Sequence, residues 1–348
     1  MFDFLWNLVS FDLGIDLGTA NTLIYIKGKG IVIREPSIIA RQKKTKKILA
    51  VGLKAKEMVG KTPANIEVIR PLADGVIADF DACEAMINHY IQLVHQVPGI
   101  IPKIPKPKVV IGIPSGVTEV ERRAVQDAAL SAGCRAAYLI EEPIAAAIGA
   151  DLPVESPEGQ LIIDIGGGTT EVAVISLAGI VLERCLRVAG DEMDEAIVAM
   201  ARMRHNLILG IATAEAVKIG IGSTIPFPQE KHFVIRGRDM GTGLPRSIKI
   251  SSTEVREALG PVIQQILGSV TDTIEETPPE LLSDILEHGI VLAGGCSQIF
   301  GIDKIISEAT KMPVWVVDDP MTAVAKGCGK LLDNQKLLEK VKVVGGLK

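Results

Sequence analysis

The sequence predicts an α/β fold of two duplicated lobes, and three observations carry that expectation. Short β-branched or apolar runs alternate with stretches of helical period. One strand-turn-strand pattern occurs twice in the chain. At 348 residues the chain is longer than one ordinary hydrophobic core supports, so two domains are expected.

Taken in order, the strand-length runs are "LGIDLG", "TLIYIKG", "KVVIGIP", "QLIIDIGGG", "EVAVISLAG", "GIVLAGG" and "MPVWVVDD". The proline-dense "HQVPGIIPKIPKPKVVIG" reads as a loop before a strand. "TEVERRAVQDAALSAGC" reads as a helix opened by a capping box, Thr118 to Glu121, and ending near Gly133. "LIEEPIAAAIGA" reads as a tightly packed helix with Pro143 in its first turn. "STEVREALGPVIQQILGSVTDTIEE" is a helix with Ser252 or Thr253 as its cap, and "DDPMTAVAKGCGKLL" places Pro320 just inside another. Residues 36–70 and about 184–247 read as insertions, the second a helix pair followed by strands and turns.

Composition narrows the function. The chain is 47% hydrophobic and 23% charged, which is globular, and its net charge of −5 gives no general grip on nucleic acid. The basic run "RQKKTKKI" reads as a solvated turn or a partner contact. Five scattered cysteines form no CxxC or Cys/His cluster, so neither a zinc site nor a disulfide framework is expected, and a reducing cytoplasm fits. The apolar runs are far shorter than a membrane span requires.

The repeat carries the chemistry. "LGIDLGTANTLIYI" aligns with the segment around "IDIGGGTTEVAVI", 148 residues later, pairing Asp16 with Asp164, Gly18 with Gly166 and Thr22 with Thr170. Each copy is a hairpin with an acid beside a glycine-containing turn. Such turns let a ligand approach the backbone and offer free N–H groups as an anion nest, with threonine hydroxyls as further donors. Two of them facing across a cleft would clasp a polyphosphate, with Mg²⁺ resolving the repulsion from Asp16 and Asp164.

Three further elements fit a nucleotide. "IVLAGGCSQI" is a strand, a Gly-Gly turn and the start of a helix, where a base or ribose could lie against the backbone. Glu141 and Glu142 open a helix, either as acids favoured by its dipole or as a carboxylate that orients or deprotonates a water. Glu215 and Lys218 share a helix face, as a surface ion pair or as nucleotide contacts.

In this order, the elements resemble the actin/sugar-kinase/chaperone ATPase superfamily. "GIDLGTANTLIY", "REPSIIA", "RPLADGVIADF", "LIEEPIAAAIGA", "VAGDEMDEAI", "RHNLILG" and "DDPMTAVAKGCGK" are similar to segments of one branch, the bacterial actins of the MreB family. The resemblance implies an actin-like ATPase fold: two RNase H-like lobes, each with a small inserted subdomain, and the nucleotide between them. It assigns 1–35, 71–147 and 318–348 to subdomain IA, 36–70 to IB, 148–183 and 248–317 to IIA, and 184–247 to IIB.

By position, Asp16, Gly18, Thr19, Ala20 and Asn21 would form the first phosphate loop. Gly166, Gly167, Gly168 and Thr169 would form the second. Asp16 and Asp164 would stand near the metal, mostly through water. Glu142 would activate the attacking water, with Thr169 and Asp164 completing the catalytic set. Glu215 and Lys218 would flank the adenosine, with Gly294, Gly295 and Cys296 beneath it. Cys296 stands where relatives carry a third glycine, and Ile211, Ala212, Ala216 and Gly220 replace polar groups.

The implied function is an ATP-hydrolysing filament former with Mg²⁺. It would assemble into paired antiparallel protofilaments beneath the inner membrane and organise cell-wall synthesis to maintain rod shape. Implied partners are the chain itself, membrane lipid, RodZ, MreC, MreD and wall synthases. A small-molecule kinase on the same fold and a membrane scaffold with little hydrolysis are the competing readings. A chaperone is disfavoured by the few residues after "GCGKLLD".

The first residues, "MFDFLWNLVS", hold no basic n-region or cleavage site, so they do not read as a secretion signal. On a helix, Asp3, Asn7 and Ser10 fall on one narrow arc, and Phe2, Phe4, Leu5, Trp6, Leu8 and Val9 cover the rest. That pattern suits a helix lying in a membrane interface. Ile100 and Ile101 in "VPGIIPKIP" are a second candidate membrane contact.

Overall fold

The computed structural model describes residues 10–96 and 104–343. The expected membrane residues Phe2, Phe4, Leu5, Trp6, Leu8, Val9, Ile100 and Ile101 lie outside the described residues. Among the described residues, no helix is long and apolar enough to cross a membrane.

The first lobe begins with β1 (Leu13–Leu17), β2 (Asn21–Ile26) and β3 (Gly30–Pro36), an antiparallel meander. The chain then leaves to build a small sheet from β4 (Ile39–Gln42), β5 (Ile48–Val51) and β6 (Ile66–Ile69), followed by the ribbon β7 (Leu72–Ala73) and β8 (Val76–Ile77). It returns as β9 (Lys108–Ile113), parallel to β1, and β10 (Ala136–Glu141), parallel to β9. The finished sheet runs β3-β2-β1-β9-β10.

The second lobe repeats this plan. It has the meander β11 (Gln160–Ile165), β12 (Thr170–Ser176) and β13 (Gly179–Leu186). A small sheet of β14 (Leu207–Ile208), β15 (His232–Asp239) and β16 (Pro245–Ser251) follows, then the parallel strands β17 (Ile290–Ala293) and β18 (Val314–Val316). Its order, β13-β12-β11-β17-β18, matches the first sheet strand for strand. In both copies the small sheet enters after the third strand, so the duplication seen in one hairpin extends to the whole lobe.

Each sheet has its own apolar core. The first is led by Leu13, Ile15, Ile24 and Ile111, the second by Leu161, Ile163, Val172 and Leu292. A third core joins the lobes, where helices Glu142–Gly149 and Ala323–Asp333 cross between the sheets. That crossing is backbone against backbone. A Cβ on Gly327 would fall 1.8 Å from the Ala145 carbonyl oxygen, and one on Gly149 would fall 1.9 Å from that of Ala323.

Local chemistry explains the element ends and corrects several expectations. The helix Glu119–Ser131 has the expected Thr118–Glu121 capping box. The helix Ser252–Glu276 is capped by Ser251 rather than Ser252 or Thr253. Ser251 and Glu254 form a capping box, while the Ser252 hydroxyl is buried and accepts from the Lys231 N–H at 3.1 Å. Pro320 opens a short 3₁₀ turn, Pro320–Thr322, that leads into the helix Ala323–Asp333. The Gly-Gly turn likewise enters a 3₁₀ turn, Gly295–Gln298, and the α-helix begins only at Ile302. Within "RQKKTKKI", residues 43–47 form the exposed β4–β5 turn, while Arg41 is buried in β4 and paired with Glu67 and Asp79.

Candidate functional site

The two repeat hairpins turn toward one cleft between the lobes, about 1020 Å³ including its open mouth. Their turns nearly touch. A Cβ on Gly167 would lie 2.5 Å from the Ala20 Cβ, and one on Gly168 would lie 2.7 Å from Thr19 Oγ1. Glycine is required there because its backbone packs directly against the Ala20 and Thr19 side chains, which leave no room for a Cβ. Each turn is braced from outside: the Ser37 hydroxyl donates to the Gly18 carbonyl at 2.6 Å, Gly75 N–H to Thr19 Oγ1 at 2.9 Å, and Asp191 N–H to the Gly167 carbonyl at 2.8 Å. Among the described residues, the N–H groups of Thr19, Ala20, Gly167 and Gly168 donate to no protein acceptor. They form an anion-binding concavity.

The duplicated threonines do something else. The Thr22 hydroxyl bonds that of Ser37 at 2.8 Å, and the Thr170 hydroxyl donates to the Val188 carbonyl at 2.7 Å. Both partners lie just after the third strand of their lobe. Thr22 and Thr170 therefore tie each hairpin to the chain that leaves it, and Thr19 and Thr169 are the threonines that border the cleft.

Asp16 and Asp164 face the cleft from matching places on β1 and β11. Glu142, the first residue of the helix Glu142–Gly149, borders it too, whereas Glu141 does not. Behind them Glu171 is buried on β12. Crowding and burial raise the proton affinity of these carboxyls: burial, then the charge of Asp164, pushes Asp16 up to about 8. Burial pushes Asp164 up to about 7 and Glu171 up to about 8. Glu142 is raised well above the usual range by burial and then by Glu171, Asp16 and Asp164.

An all-oxygen cluster of uncompensated acids fits a hard divalent cation. Among the described residues, no three ligating side chains converge into a cage of their own.

Beside Asp164, the second lobe lines the cleft with Gly294, Gly295 and Cys296, together with Glu215 and Lys218. Gly294 has φ +81, and the Ser297 hydroxyl donates to its carbonyl at 2.7 Å. Cys296 packs close to Gly190, where an added Cβ would lie 2.9 Å from its sulfur, and burial pushes its thiol up to about 11. Glu215 and Lys218 do not pair with each other. Lys218 Nζ donates to the Gly190 carbonyl at 2.6 Å and lies 3.0 Å from Asp194, within the second lobe. Glu215 reaches across the cleft to Lys56, at 2.6 Å. Ile211 and Ala212 join Ile38, Val59, Val68 and Ile69 in a small apolar hollow that bridges the two lobes beside that ion pair.

Comparison with known proteins places this architecture. The family model described as MreB/Mbl protein matches residues 10–340. The chain belongs to the MreB/Mbl family. It is 48% identical over 330 residues to the cell shape-determining protein MreB of Escherichia coli strain K12, covering 94% of each chain. It is 45% identical over 332 residues to the cell shape-determining protein Mbl of Bacillus subtilis strain 168, covering 95% of this chain and 98% of that one. Among solved structures, MreB5 of Spiroplasma citri bound to ADP is similar with a TM-score of 0.88 at 39% identity, covering 94% of this chain and 97% of that one. The same protein bound to AMPPNP matches equally. A chain of the MamK double helical filament shares the fold, with a TM-score of 0.78 at 23% identity. The fold is actin-like.

Within this MreB/Mbl chain the cleft also uses residues that the sequence did not single out. Arg70, Gly190, Asp191, Asp194 and Met321 border it, and Lys56 closes over it through Glu215. Their partners are distant in sequence, so no spacing signal marks them. Glu171 is different: it stands 148 residues after the buried Leu23 in the repeat alignment, a charge where the first copy has an apolar residue.

Proposed function

We propose that this chain binds and hydrolyses ATP with Mg²⁺ in the interlobe cleft and polymerises into filaments on the inner face of the cell membrane, organising wall synthesis and maintaining rod shape. The observation that carries the nucleotide reading is the near-contact of Gly167 and Gly168 with Ala20 and Thr19, which brings two sets of free N–H groups to one point. In this reading the loops Asp16–Asn21 and Gly166–Thr169 clasp the phosphates. Gly294, Gly295 and Cys296 lie under the adenosine, with Glu215 and Lys218 at its edge. Mg²⁺ would supply positive charge between the phosphates and the carboxylates of Asp16 and Asp164.

Glu142 is the group placed to orient a water, because its carboxyl faces the cleft; once ionised it can take the water's proton, and its raised proton affinity makes that carboxylate the stronger base. Thr169 borders the same space. Nucleotide-bound MreB5 supports the ligand class. Family membership supports filaments in antiparallel pairs, the four-subdomain division and wall-synthesis partners such as RodZ, MreC and MreD. The amphipathic pattern of residues 2–9 supports lipid attachment.

The test is phosphate release and electron microscopy with Mg-ATP on lipid vesicles, with and without residues 1–10. Filaments and phosphate are expected from the full chain, and filaments free of lipid from the truncated one. Glu142→Gln should bind nucleotide and release almost no phosphate. A full chain that neither assembles nor releases phosphate over a range of concentrations overturns the reading. Assembly without phosphate release favours the scaffold alternative.

A further inference from the structure

Glu171 does not border the cleft, and yet it is the charged residue that breaks the repeat. Leu23, its counterpart, is 2% exposed, and Glu171 is 1% exposed. A carboxylate in mid-strand is costly to bury without partners, so its partners show its role. One oxygen, Oε1, accepts from the Ser115 N–H at 2.7 Å and from the Ser115 hydroxyl at 3.0 Å. Ser115 follows β9 in the first lobe, whereas Glu171 is on β12 in the second, so this bond joins the lobes.

The other oxygen, Oε2, is buried with no hydrogen-bond partner in good geometry among the described residues. Besides Ser115, the Glu142 carboxyl and the Cys185 thiol interact with this carboxyl. Cross-strand pairing sets Asp164, Glu171 and Cys185 side by side across β11, β12 and β13, on one face of the sheet. Asp164 occupies the cleft, and Glu171 stands one strand behind it, against Glu142. Glu142 itself leads into the helix that joins the lobes, so it needs a fixed reference outside its own element.

We propose that Glu171 is a positioning residue: held by Ser115 of the opposite lobe, it fixes the Glu142 carboxyl in the orientation that ATP hydrolysis needs. The role rests on the nucleotide reading above. Because the Ser115 donors sit on the first lobe, Glu171 is in place only when the lobes meet as they do here. Correct orientation of Glu142 is thereby linked to the interlobe contact. Misorienting a reacting group by about 1 Å lowers rate far more than affinity.

The experiment compares wild type, Glu171→Ala and Glu171→Gln for binding of a fluorescent ATP analogue, phosphate release with Mg-ATP, and thermal unfolding. Glutamine keeps an oxygen for the Ser115 donors and offers N–H to Glu142. The expected result is a kcat roughly ten- to a hundredfold lower in Glu171→Ala, with analogue affinity unchanged, and substantial recovery in Glu171→Gln. If Glu171→Ala does not fold, Glu171→Met, which fills the same space without an acceptor, takes its place. Wild-type hydrolysis combined with an unimpaired Glu171→Ala overturns the positioning role alone. So does a loss confined to affinity, or a Glu171→Gln as inactive as the alanine variant. A wild-type chain that neither binds the analogue nor releases phosphate overturns the nucleotide reading itself.

Discussion

Arg70 Nη1 lies 2.7 Å from one carboxylate oxygen of Asp191 and 2.8 Å from the other, joining the first lobe to the second across the mouth of the cleft. Lys56 and Glu215 make a second bridge of the same kind. Both pairs are partly exposed, so each contributes about 1 kcal/mol or less. Together they act as a latch. Arg70→Ala is expected to speed release of a fluorescent nucleotide several-fold, and Lys56→Ala with Arg70→Ala more than either alone. High salt should mimic part of the effect in the wild type. Release rates that ignore both substitutions would remove the latch from the account.

Gly167 faces the Ala20 Cβ at a distance that no side chain tolerates. Gly167→Val is therefore expected to push the two turns apart and abolish nucleotide binding. Each lobe keeps its own core, so the far-ultraviolet spectrum should be retained. Tight binding by Gly167→Val would show that the turns need not approach.

The acid cluster sets a pH dependence with a definite sign. Asp16, Asp164 and Glu171 have folded-state pKa values of about 7 to 8, above their ordinary values near 4. The folded chain thus holds protons that the unfolded chain has lost, and its stability falls as pH rises from about 4 through about 8. Melting temperatures of the nucleotide-free protein should decline across that range. Mg²⁺ with nucleotide should restore them most at pH 8, because a cation competes with protons for the same oxygens. Asp164→Asn should flatten the slope, and a wild-type slope of the opposite sign would contradict the assignment.

Lys218 and Asp194 form a pair whose side chains are 11% and 4% exposed. Removing one partner strands the other, at a typical cost of roughly 3 kcal/mol. Asp194 is already pushed up to about 6 by burial, against the pull of Lys218. Lys218→Met should lower stability measured by urea, and more so at pH 8 than at pH 5.5, since the stranded carboxylate is charged at the higher pH. A loss of nucleotide affinity with unchanged stability would instead assign Lys218 mainly to the ligand.

The duplication was legible because a hairpin with an acid and glycines is a local pattern, and its two copies could be laid over each other. The cleft residues Asp16 and Asp164 followed from it, whereas Thr19 and Gly167 needed the family resemblance. Glu142 needed the resemblance to separate it from Glu141, because a helix N-terminus favours both acids equally. The latch could not be read at all: Arg70 and Asp191 are 121 positions apart and meet only through the fold. Thr22 and Thr170 misled for a related reason. Their repetition records a shared structural tether to Ser37 and Val188, and a repeat alone does not separate a ligand contact from a brace. The cap of the helix Ser252–Glu276 was misplaced by one residue because Ser251, Ser252 and Thr253 all have capping chemistry, and burial of Ser252 decided among them.

The crossing of helices Glu142–Gly149 and Ala323–Asp333 has a mechanical consequence. Side chains normally cushion such a contact and let helices slide by changing rotamers. At Gly327 and Gly149 there is no cushion, only the Ala145 and Ala323 carbonyls. Sliding is blocked there, while rotation about the point of contact is not. The crossing is thus the natural fulcrum of the molecule: any turn of the lobes about it would be magnified at the tips that carry Lys56 and Glu215.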